Sequence, residues 1–403
     1  MDSTKEVSRK NLQKILKPLN FNKKMKCLIL YAYPIEADGQ SLQGDLLRRG
    51  ILNYNHEAIP CHFKDSMQKE FYLKYVKPDV SFGIGFWGNV PEIVQEPLKY
   101  GIRPVPWFNS DGWVANYQKE FDELELMFTT SQWVKDIYKR DGVDVSKIVP
   151  MHIGTDTDMF KPTNNPELSA DIRKMIGIKE NEKMILTVGG DVTSKGAQEM
   201  MKALAKVNEE HKDWKYICKS WTSECAREWH EEEMKLAEDL GIADKVIFID
   251  DEFSPEFMVD LLNSCDIYAA PSRIEGFGMI QVEAMACGKP VISINAGGPA
   301  ETILHNKTGF LAKVAEEIKL ESEWAYPSMG FKQKQLVKFD SPKTFAYRAD
   351  IEELRKYTLK LLTDDELCKK MGQQGRQHVL DNLDYRDISK KMIDITKERL
   401  DLK

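Results

Sequence analysis

The sequence predicts an α/β fold in which two domains face each other across a cleft. At 403 residues the chain exceeds the usual size of a single hydrophobic core. Short apolar runs alternate with helical stretches, which indicates mostly parallel sheets covered by helices on both faces. The alternation occurs twice, and a segment rich in Asp, Thr and Pro at residues 154–162 separates the two series. We therefore expect one sheet in each half of the chain.

The first series contains six predicted strands. They are Cys27–Tyr31, Ala58–Pro60, Val80–Ile84, Val105–Phe108, Met127–Thr129 and Ile148–Met151. The loop after the first strand contains Gly39, where the backbone is expected to approach the cleft because glycine has no side chain.

The second series also contains six predicted strands. They are Met184–Val188, Tyr216–Cys218, Val246–Ile249, Ile267–Ala270, Val291–Ile294 and Gly309–Leu311. Residues 313–345 break the rhythm and are interpreted as an insertion, which could order on the surface, join a subunit contact or border the cleft. Beyond Ala349 the periodicity is helical to the end of the chain.

Residues 271–309 carry the strongest functional signal. A predicted strand ends at Pro271, and the helix that begins near Met279 is apolar on nearly every side, with Gly288 and Pro290 ending it. Glu283 lies within this helix, where a buried carboxylate is costly unless it is paired or hydrogen-bonded. We therefore expect Glu283 to have a specific partner.

The loop before this helix has the features of an anion site. Gly276 and Gly278 flank Phe277 and allow a ligand to approach the backbone, while the first N–H groups of the helix remain available. A helix N-terminus can hold a phosphate, and carboxylates such as Glu275 and Glu283 can accept hydrogen bonds from sugar hydroxyls. This combination predicts a nucleotide-sugar pocket. The alternative is that Glu283 is a structural cap or ion-pair partner and Glu275 a solvated loop charge.

The same segment resembles the retaining glycosyltransferases of the group 1 family, which have the GT-B fold and a signature of two glutamates separated by seven residues. Glu275 and Glu283 have this spacing. Further similar positions are Cys265-Asp266, Pro271-Ser272, Gly276-Phe277-Gly278, Ala284-Met285-Ala286, Gly288-Lys289-Pro290-Val291, Gly297-Gly298 and Glu301.

The resemblance covers most of residues 25–403 and implies two Rossmann-like domains. Residues 25–156 would form the acceptor domain, and residues 157–384 the donor domain. A C-terminal helix at residues 385–403 would cross back to the first domain, and residues 1–24 would form a helical extension.

The resemblance also implies roles for single residues. Glu275 would contact the donor sugar, Glu283 the ribose hydroxyls and Lys195 the diphosphate, while Gly276, Phe277 and Gly278 would lie against the donor. Gly39 would also belong to the donor site.

The chain departs from the family pattern at two places. Gly190 stands where many relatives carry an arginine, so Lys219 or Arg273 could supply the missing positive charge, unless each is an ordinary surface charge. Many relatives have a His-Asp pair in the first half, whereas residues 107–113 contain no histidine. Asp111 is our candidate for the cleft-facing polar group, and an Asx turn that supports Gly112 is the alternative.

Composition limits the other possibilities. The formal net charge of −7 gives no support for nucleic-acid binding. The seven cysteines lack the short paired spacings of zinc or disulfide frameworks, which favours free thiols in a reducing compartment and a cytoplasmic location. No apolar stretch approaches the length of a membrane span. The pattern of apolar residues and lysines in residues 3–24 predicts a basic amphipathic helix. This helix would either contact an anionic membrane peripherally or pack on the first domain.

These observations predict an enzyme that moves a sugar from a nucleotide-diphosphate donor to a hydroxyl acceptor, with retention and without a metal or cofactor. Two alternatives use the same pocket: a GT-B phosphorylase or sugar synthase, and a nucleotide-sugar-binding module that has lost activity. A dinucleotide-binding oxidoreductase is not supported. Gly83-Ile84-Gly85-Phe86-Trp87-Gly88 has the Gly-x-Gly-x-x-Gly spacing, but it begins inside the predicted strand Val80–Ile84 and not in a turn after it.

Overall fold

The structure is a computed structural model that describes residues 24–36, 38–110, 112–163, 165–189, 192–220 and 224–402. The helix predicted at the N-terminus, apart from its last residue Lys24, lies outside these residues, as do Asp111 and Gly190.

The first half of the described chain forms a parallel six-stranded sheet with the order β2-β1-β3-β4-β5-β6. Its strands are β1 (Lys26–Tyr31), β2 (Glu57–His62), β3 (Val80–Phe86), β4 (Arg103–Asn109), β5 (Met127–Thr129) and β6 (Ile148–Pro150). The α-helices of this half are α1 (Gly39–Asn53), α2 (Ser66–Phe71), α3 (Glu96–Lys99), α4 (Gln118–Asp122) and α5 (Gln132–Arg140). Two π-helical turns lie at Tyr72–Val76 and Pro91–Gln95, and 3₁₀ turns at Trp87–Asn89 and Val145–Lys147.

The second half forms another parallel six-stranded sheet, with the order β12-β11-β10-β7-β8-β9 in the described residues. Its strands are β7 (Lys183–Val188), β8 (Trp214–Lys219), β9 (Val246–Ile249), β10 (Ile267–Ala269), β11 (Val291–Ile294) and β12 (Gly309–Ala312). Its helices are α6 (Pro166–Ile176), α7 (Ala197–Glu210), α8 (Glu224–Asp239), α9 (Pro255–Ser264), α10 (Met279–Ala286) and α11 (Pro299–Thr302), with a 3₁₀ turn at Ala243–Lys245. All twelve predicted strands are present, with ends within two residues of those expected.

Burial explains why these strands could be predicted. Cys27 to Tyr31 of β1 are fully buried, as are Ile185 and Leu186 of β7. Parallel strands have helices on both faces, so their sequences are continuous apolar runs rather than alternating ones. The two-domain α/β prediction is therefore confirmed.

The insertion predicted at residues 313–345 is a long antiparallel hairpin. It consists of β13 (Val314–Ala325) and β14 (Gln335–Ala349), joined by a turn that includes the 3₁₀ segment Pro327–Met329. The hairpin starts from the second sheet but packs on the first half of the chain. The ring of Trp113 lies 5.6 Å from that of Phe339, and Lys343 forms a 2.7 Å ion pair with Asp141. The insertion therefore bridges the two halves.

The C-terminal helices are α12 (Ile351–Thr363), α13 (Asp365–Asn382) and α14 (Tyr385–Arg399). Helix α14 lies against α1 of the first half, where a side chain at Gly50 would collide with Ser389. Arg49 of α1 forms a 2.5 Å ion pair with Asp156. These contacts hold the two sheets with their carboxyl edges on either side of one cleft.

Among the described helices, none combines the length and the apolar character that crossing a bilayer would require.

Candidate functional site

A cavity of about 470 Å³ lies between the carboxyl edges of the two sheets. Asp38, Gly39, Gln40, Gln43 and Asn109 form its wall on the first half, together with Ile153. The wall on the second half comprises Val188, Gly189, Ser194, Lys195, Tyr268, Ala270, Ser272, Glu275 and residues 277–281. This volume falls within the range of small-molecule sites, and the position is the usual one for ligands of open α/β sheets.

The loop between β10 and α10 positions the Glu275 carboxylate. Its Oε1 atom accepts hydrogen bonds from the N–H groups of Gly278 (3.1 Å) and Phe277 (3.4 Å). Gly278 can begin the helix in this way because it has φ = +94°, a left-handed conformation that side chains disfavour. The carboxylate is therefore fixed at the N-terminus of α10.

Two further glycines allow this loop to lie where it does. A Cβ atom at Gly298 would be 2.6 Å from the Gly276 carbonyl oxygen, and the N–H of Gly298 donates to the Glu275 carbonyl at 2.9 Å. On the other side, a Cβ atom at Gly276 would overlap the side-chain oxygen of Asn109. The loop is thus held between α11 and the first half of the chain.

Lys195 supplies a positive charge to the same point. Its Nζ atom donates to Glu275 Oε2 at 2.7 Å. The adjacent loops are joined by a hydrogen bond from the N–H of Arg273 to the Ser194 carbonyl at 2.8 Å. The cavity therefore contains a cation and an anion side by side, next to the positive end of a helix.

Glu283 is buried in α10 with a side chain that needs a partner. The residue is 7% exposed, and burial raises its pKa to about 7. None of the described residues donates a hydrogen bond to its carboxylate or forms an ion pair with it. Glu283 does not line the cavity, but Tyr268 does. Burial raises the pKa of Tyr268, and the charges of Glu275 and Glu283 raise it further. The two carboxylates therefore lie near the same cavity residue.

Comparison with known proteins shows which family part of the chain resembles. Residues 169–324 match the family model described as "Glycosyl transferases group 1". The D-inositol 3-phosphate glycosyltransferase of Mycolicibacterium smegmatis is 28% identical over 215 residues, which are 53% of this chain and 46% of that protein. Its counterpart from Corynebacterium jeikeium is 31% identical over 216 residues, 52% of this chain and 49% of that protein. The chain thus spans about half the length of the curated relatives it matches.

Solved structures show the same fold over almost the whole chain. Sucrose-phosphate synthase from Thermosynechococcus elongatus superposes with a TM-score of 0.72 at 15% identity, covering 94% of this chain and all of that one. Anabaena HepE, solved in complex with UDP and glucose, superposes with a TM-score of 0.70 at 16% identity, covering 93% of this chain and all of that one. Residues 169–324 are thus similar to the group 1 glycosyl transferases, and the chain as a whole has the GT-B fold.

Several of the residues predicted for the donor site meet at the cavity. They are Gly39, Lys195, Glu275, Phe277 and Gly278, which all line it. Gly276 lies in the same loop and faces Asn109. The roles predicted for Asp111 and Gly190 stay predictions, because both residues lie outside the described part of the chain.

The structure does not bring Lys219 or Arg273 to the cavity wall. The guanidinium of Arg273 contacts Glu199 at 3.0–3.3 Å and Gln198 at 2.9 Å, and Arg348 binds the same Glu199 carboxylate. The ammonium group of Lys219 donates to the Ser220 carbonyl and lies 4.8 Å from the centre of the Phe253 ring, and burial lowers its pKa. In this arrangement Arg273 is committed to an ion pair rather than exposed to a diphosphate.

The cavity residues that were not singled out from the sequence include Asn109, Gln43 and Gln281. Asn109 ends β4 and accepts a 3.0 Å hydrogen bond from Thr130, and Gln43 of α1 donates to the Trp107 carbonyl. Gln281 donates from its amide nitrogen to Ala270, but its buried Oε1 atom has no partner. Asn109 could have been found, since the carboxyl end of a central strand is where ligands bind. The two glutamines carry no such signal.

A second contact between the halves lies beside the cavity. Glu301 accepts hydrogen bonds from the N–H groups of Gln132 (2.9 Å) and Trp133 (2.8 Å) at the start of α5, and its carboxylate is 3.1 Å from His152 Nε2. Burial opposes ionisation, but these hydrogen bonds prevail and lower the pKa of Glu301. A residue of the second half thus caps a helix of the first.

Among the described residues, no group of three or more His, Cys, Asp or Glu side chains is arranged to hold a metal ion. The cysteines at 27, 61, 218, 265, 287 and 368 are free thiols.

Proposed function

We propose that the chain transfers a sugar from a nucleotide-diphosphate donor to an acceptor hydroxyl, with retained anomeric configuration and without a metal. The proposal rests chiefly on the Lys195–Glu275 pair at the N-terminus of α10, inside a cavity between two sheets. The similarity of residues 169–324 to the group 1 glycosyl transferases supports the reaction class. The positive charge of Lys195 lies where a diphosphate would leave.

In the proposed reaction, the departing diphosphate is stabilised by Lys195 and by the free N–H groups at the start of α10. Glu275 would accept hydrogen bonds from the donor sugar and hold it against the backbone of residues 276–278. Glu283 would accept the ribose hydroxyls, which gives its buried carboxylate the partner that the free protein lacks. The leaving phosphate itself would accept the proton of the attacking hydroxyl.

The acceptor would enter from the side of the first half, where Asp38, Gln40 and Asn109 form the wall. Closure of the two halves around both substrates would exclude water and so suppress hydrolysis. Because HepE is solved with UDP and glucose, UDP-sugars are the first donors to examine. The cytoplasmic location stays a prediction, as do the two alternatives for residues 3–24, peripheral contact with an anionic membrane or packing on the first domain.

The proposal is tested first by a thermal-shift screen with nucleoside diphosphates and their sugars, since a ligand that binds only the native state raises its stability. Release of nucleoside diphosphate is then measured with sugar and lipid acceptors, with and without EDTA. We expect a shift with one base, and turnover that EDTA does not change. Binding without turnover on any acceptor would favour a module that has lost activity.

Variants separate the two glutamates. Glu283→Ala should weaken nucleotide binding, whereas Glu275→Ala should lower turnover more than nucleotide affinity. Glu180→Ala is a suitable control, because Glu180 is exposed and precedes β7 at the opposite edge of the second sheet. Equal and negligible effects of the first two changes would contradict the assignment.

A further inference from the structure

An exposed apolar stripe lies on α2 and the π-turn that continues it. Met67, Phe71 and Tyr75 are 81%, 52% and 66% exposed, and the rings of Phe71 and Tyr75 are 5.5 Å apart. Their spacing of four residues places them on one side of the helical segment. Five large apolar side chains in the described residues are more than half exposed, and three of them form this stripe. Such a concentration marks a contact surface rather than ordinary surface composition.

The stripe is fixed in its outward orientation. Lys69 lies between Met67 and Phe71 in sequence, but its side chain is buried on the inner face and forms a 2.6 Å ion pair with Glu96. Leu73 is buried on that face as well. At the start of the helix, the Asp65 side chain accepts a hydrogen bond from the N–H of Gln68. Rotation of α2 to bury the stripe would expose Leu73 and break the Lys69 pair.

Positive charge surrounds the stripe in a chain that is acidic as a whole. Lys64, Lys74 and Lys77 are exposed, and the ammonium groups of Lys64 and Lys74 lie over the rings of Phe63 and Tyr75. Lys69 is buried against Glu96, so the other charges of residues 64–77 are these three lysines against Asp65 and Glu70, with Lys74 3.8 Å from Glu70. The chain as a whole has a formal net charge of −7. The local charge thus has the opposite sign to the net charge. Two copies that met through this same stripe would bring their lysines together, which disfavours a symmetric dimer as its occupant.

We propose that this stripe, with Lys64, Lys74 and Lys77, docks the protein on an anionic lipid bilayer. Met, Phe and Tyr side chains would enter the boundary between headgroups and acyl chains, while lysine ammonium groups extend to the lipid phosphates. Helix α2 follows the carboxyl end of β2, the same edge of the first sheet that carries Gly39 and Asn109 at the cavity. Docking would therefore bring the cavity side of the first half towards the membrane. The proposal does not depend on sugar transfer.

The test is co-sedimentation of the full chain with vesicles of phosphatidylcholine alone or with 30% phosphatidylglycerol added. Wild-type protein should bind only the anionic vesicles, and less in 0.5 M salt, because salt screens the lysine charges. Phe71→Ser with Tyr75→Ser should reduce the partition coefficient at least tenfold. Lys74→Gln with Lys77→Gln should reduce it by a similar factor, since each lysine near an anionic surface contributes severalfold.

Met175→Ser is the matched control, because Met175 is 69% exposed but lies on α6 of the second half. It should leave binding unchanged, and thermal unfolding should confirm that all variants fold. The proposal is overturned if the wild type does not bind anionic vesicles, or if both double variants bind as well as the wild type. It is also overturned if sedimentation velocity shows a wild-type dimer that Phe71→Ser with Tyr75→Ser dissociates, because the stripe would then join two copies.

Discussion

Replacement of Glu283 by glutamine should make the free protein more stable and its nucleotide binding weaker. The carboxylate is buried without a partner among the described residues, and its pKa rises from an ordinary 4.5 to about 7 on folding. An acid whose pKa is higher in the folded state destabilises that state whenever it is ionised. The cost is absent well below pH 4.5, grows between 4.5 and 7, and reaches about 3 kcal/mol above that range.

The pH dependence of this cost gives the measurable quantity. The linkage relation gives a cost of about 1 kcal/mol at pH 5.5 and about 3 kcal/mol at pH 8.5. Any effect of the buried amide itself is independent of pH and cancels in the comparison. The stability that Glu283→Gln gains over the wild type, measured as the difference in free energy of unfolding, should therefore be about 2 kcal/mol larger at pH 8.5 than at pH 5.5.

Urea denaturation at both pH values measures this difference, and calorimetric titration with the best nucleoside diphosphate measures the affinity. The variant should bind at least tenfold more weakly, because a hydrogen bond to a charged acceptor contributes about 1.5–3 kcal/mol. Glu182→Gln is the control: Glu182 is also buried, but it accepts a 2.9 Å hydrogen bond from the N–H of Lys179, so the change should lower stability. The reasoning is refuted if Glu283→Gln gains no stability with rising pH and binds nucleotide as the wild type does.

Three other substitutions test the cavity and the contact between the halves. Lys195→Met should lower nucleoside diphosphate affinity at least tenfold by calorimetry; unchanged affinity would exclude Lys195 from the diphosphate site. Gly276→Ala should lower the thermal midpoint by several degrees, because its Cβ atom would overlap Asn109; an unchanged midpoint would show that the halves separate readily there. Glu301→Gln should lower the free energy of unfolding by about 1 kcal/mol in urea, because the cap of α5 loses its charge. A more stable Glu301→Gln variant would contradict this role.

The parts of the fold that sequence could predict are those fixed by local patterns. A strand covered on both faces needs consecutive apolar residues, so β1, β7 and the others were visible as runs. Glycine at 278 and apolar residues from 279 indicated where α10 begins. Lys195 follows β7 and Glu275 follows β10, and these paired parallel strands end at the same edge of the sheet. The proximity of the two side chains was therefore also predictable.

The remaining features depend on partners that are distant in the chain. Arg273 lies two residues before Glu275, but its guanidinium forms an ion pair with Glu199, and no local sequence pattern predicts that pair. The two strands of the hairpin are long, and only Ala325 and Ala349 in them are buried. The position of the hairpin depends on Trp113, more than 200 residues earlier in the chain than Phe339. The sequence could mark this segment as an insertion but could not locate it.

The most direct test is a crystal structure with the nucleotide sugar that gives the largest thermal shift. The proposed site predicts the diphosphate within hydrogen-bonding distance of Lys195 Nζ, and ribose hydroxyls about 3 Å from the Glu283 carboxylate. Density for the nucleotide outside the cavity, with Glu283 still buried and without a partner, would contradict it.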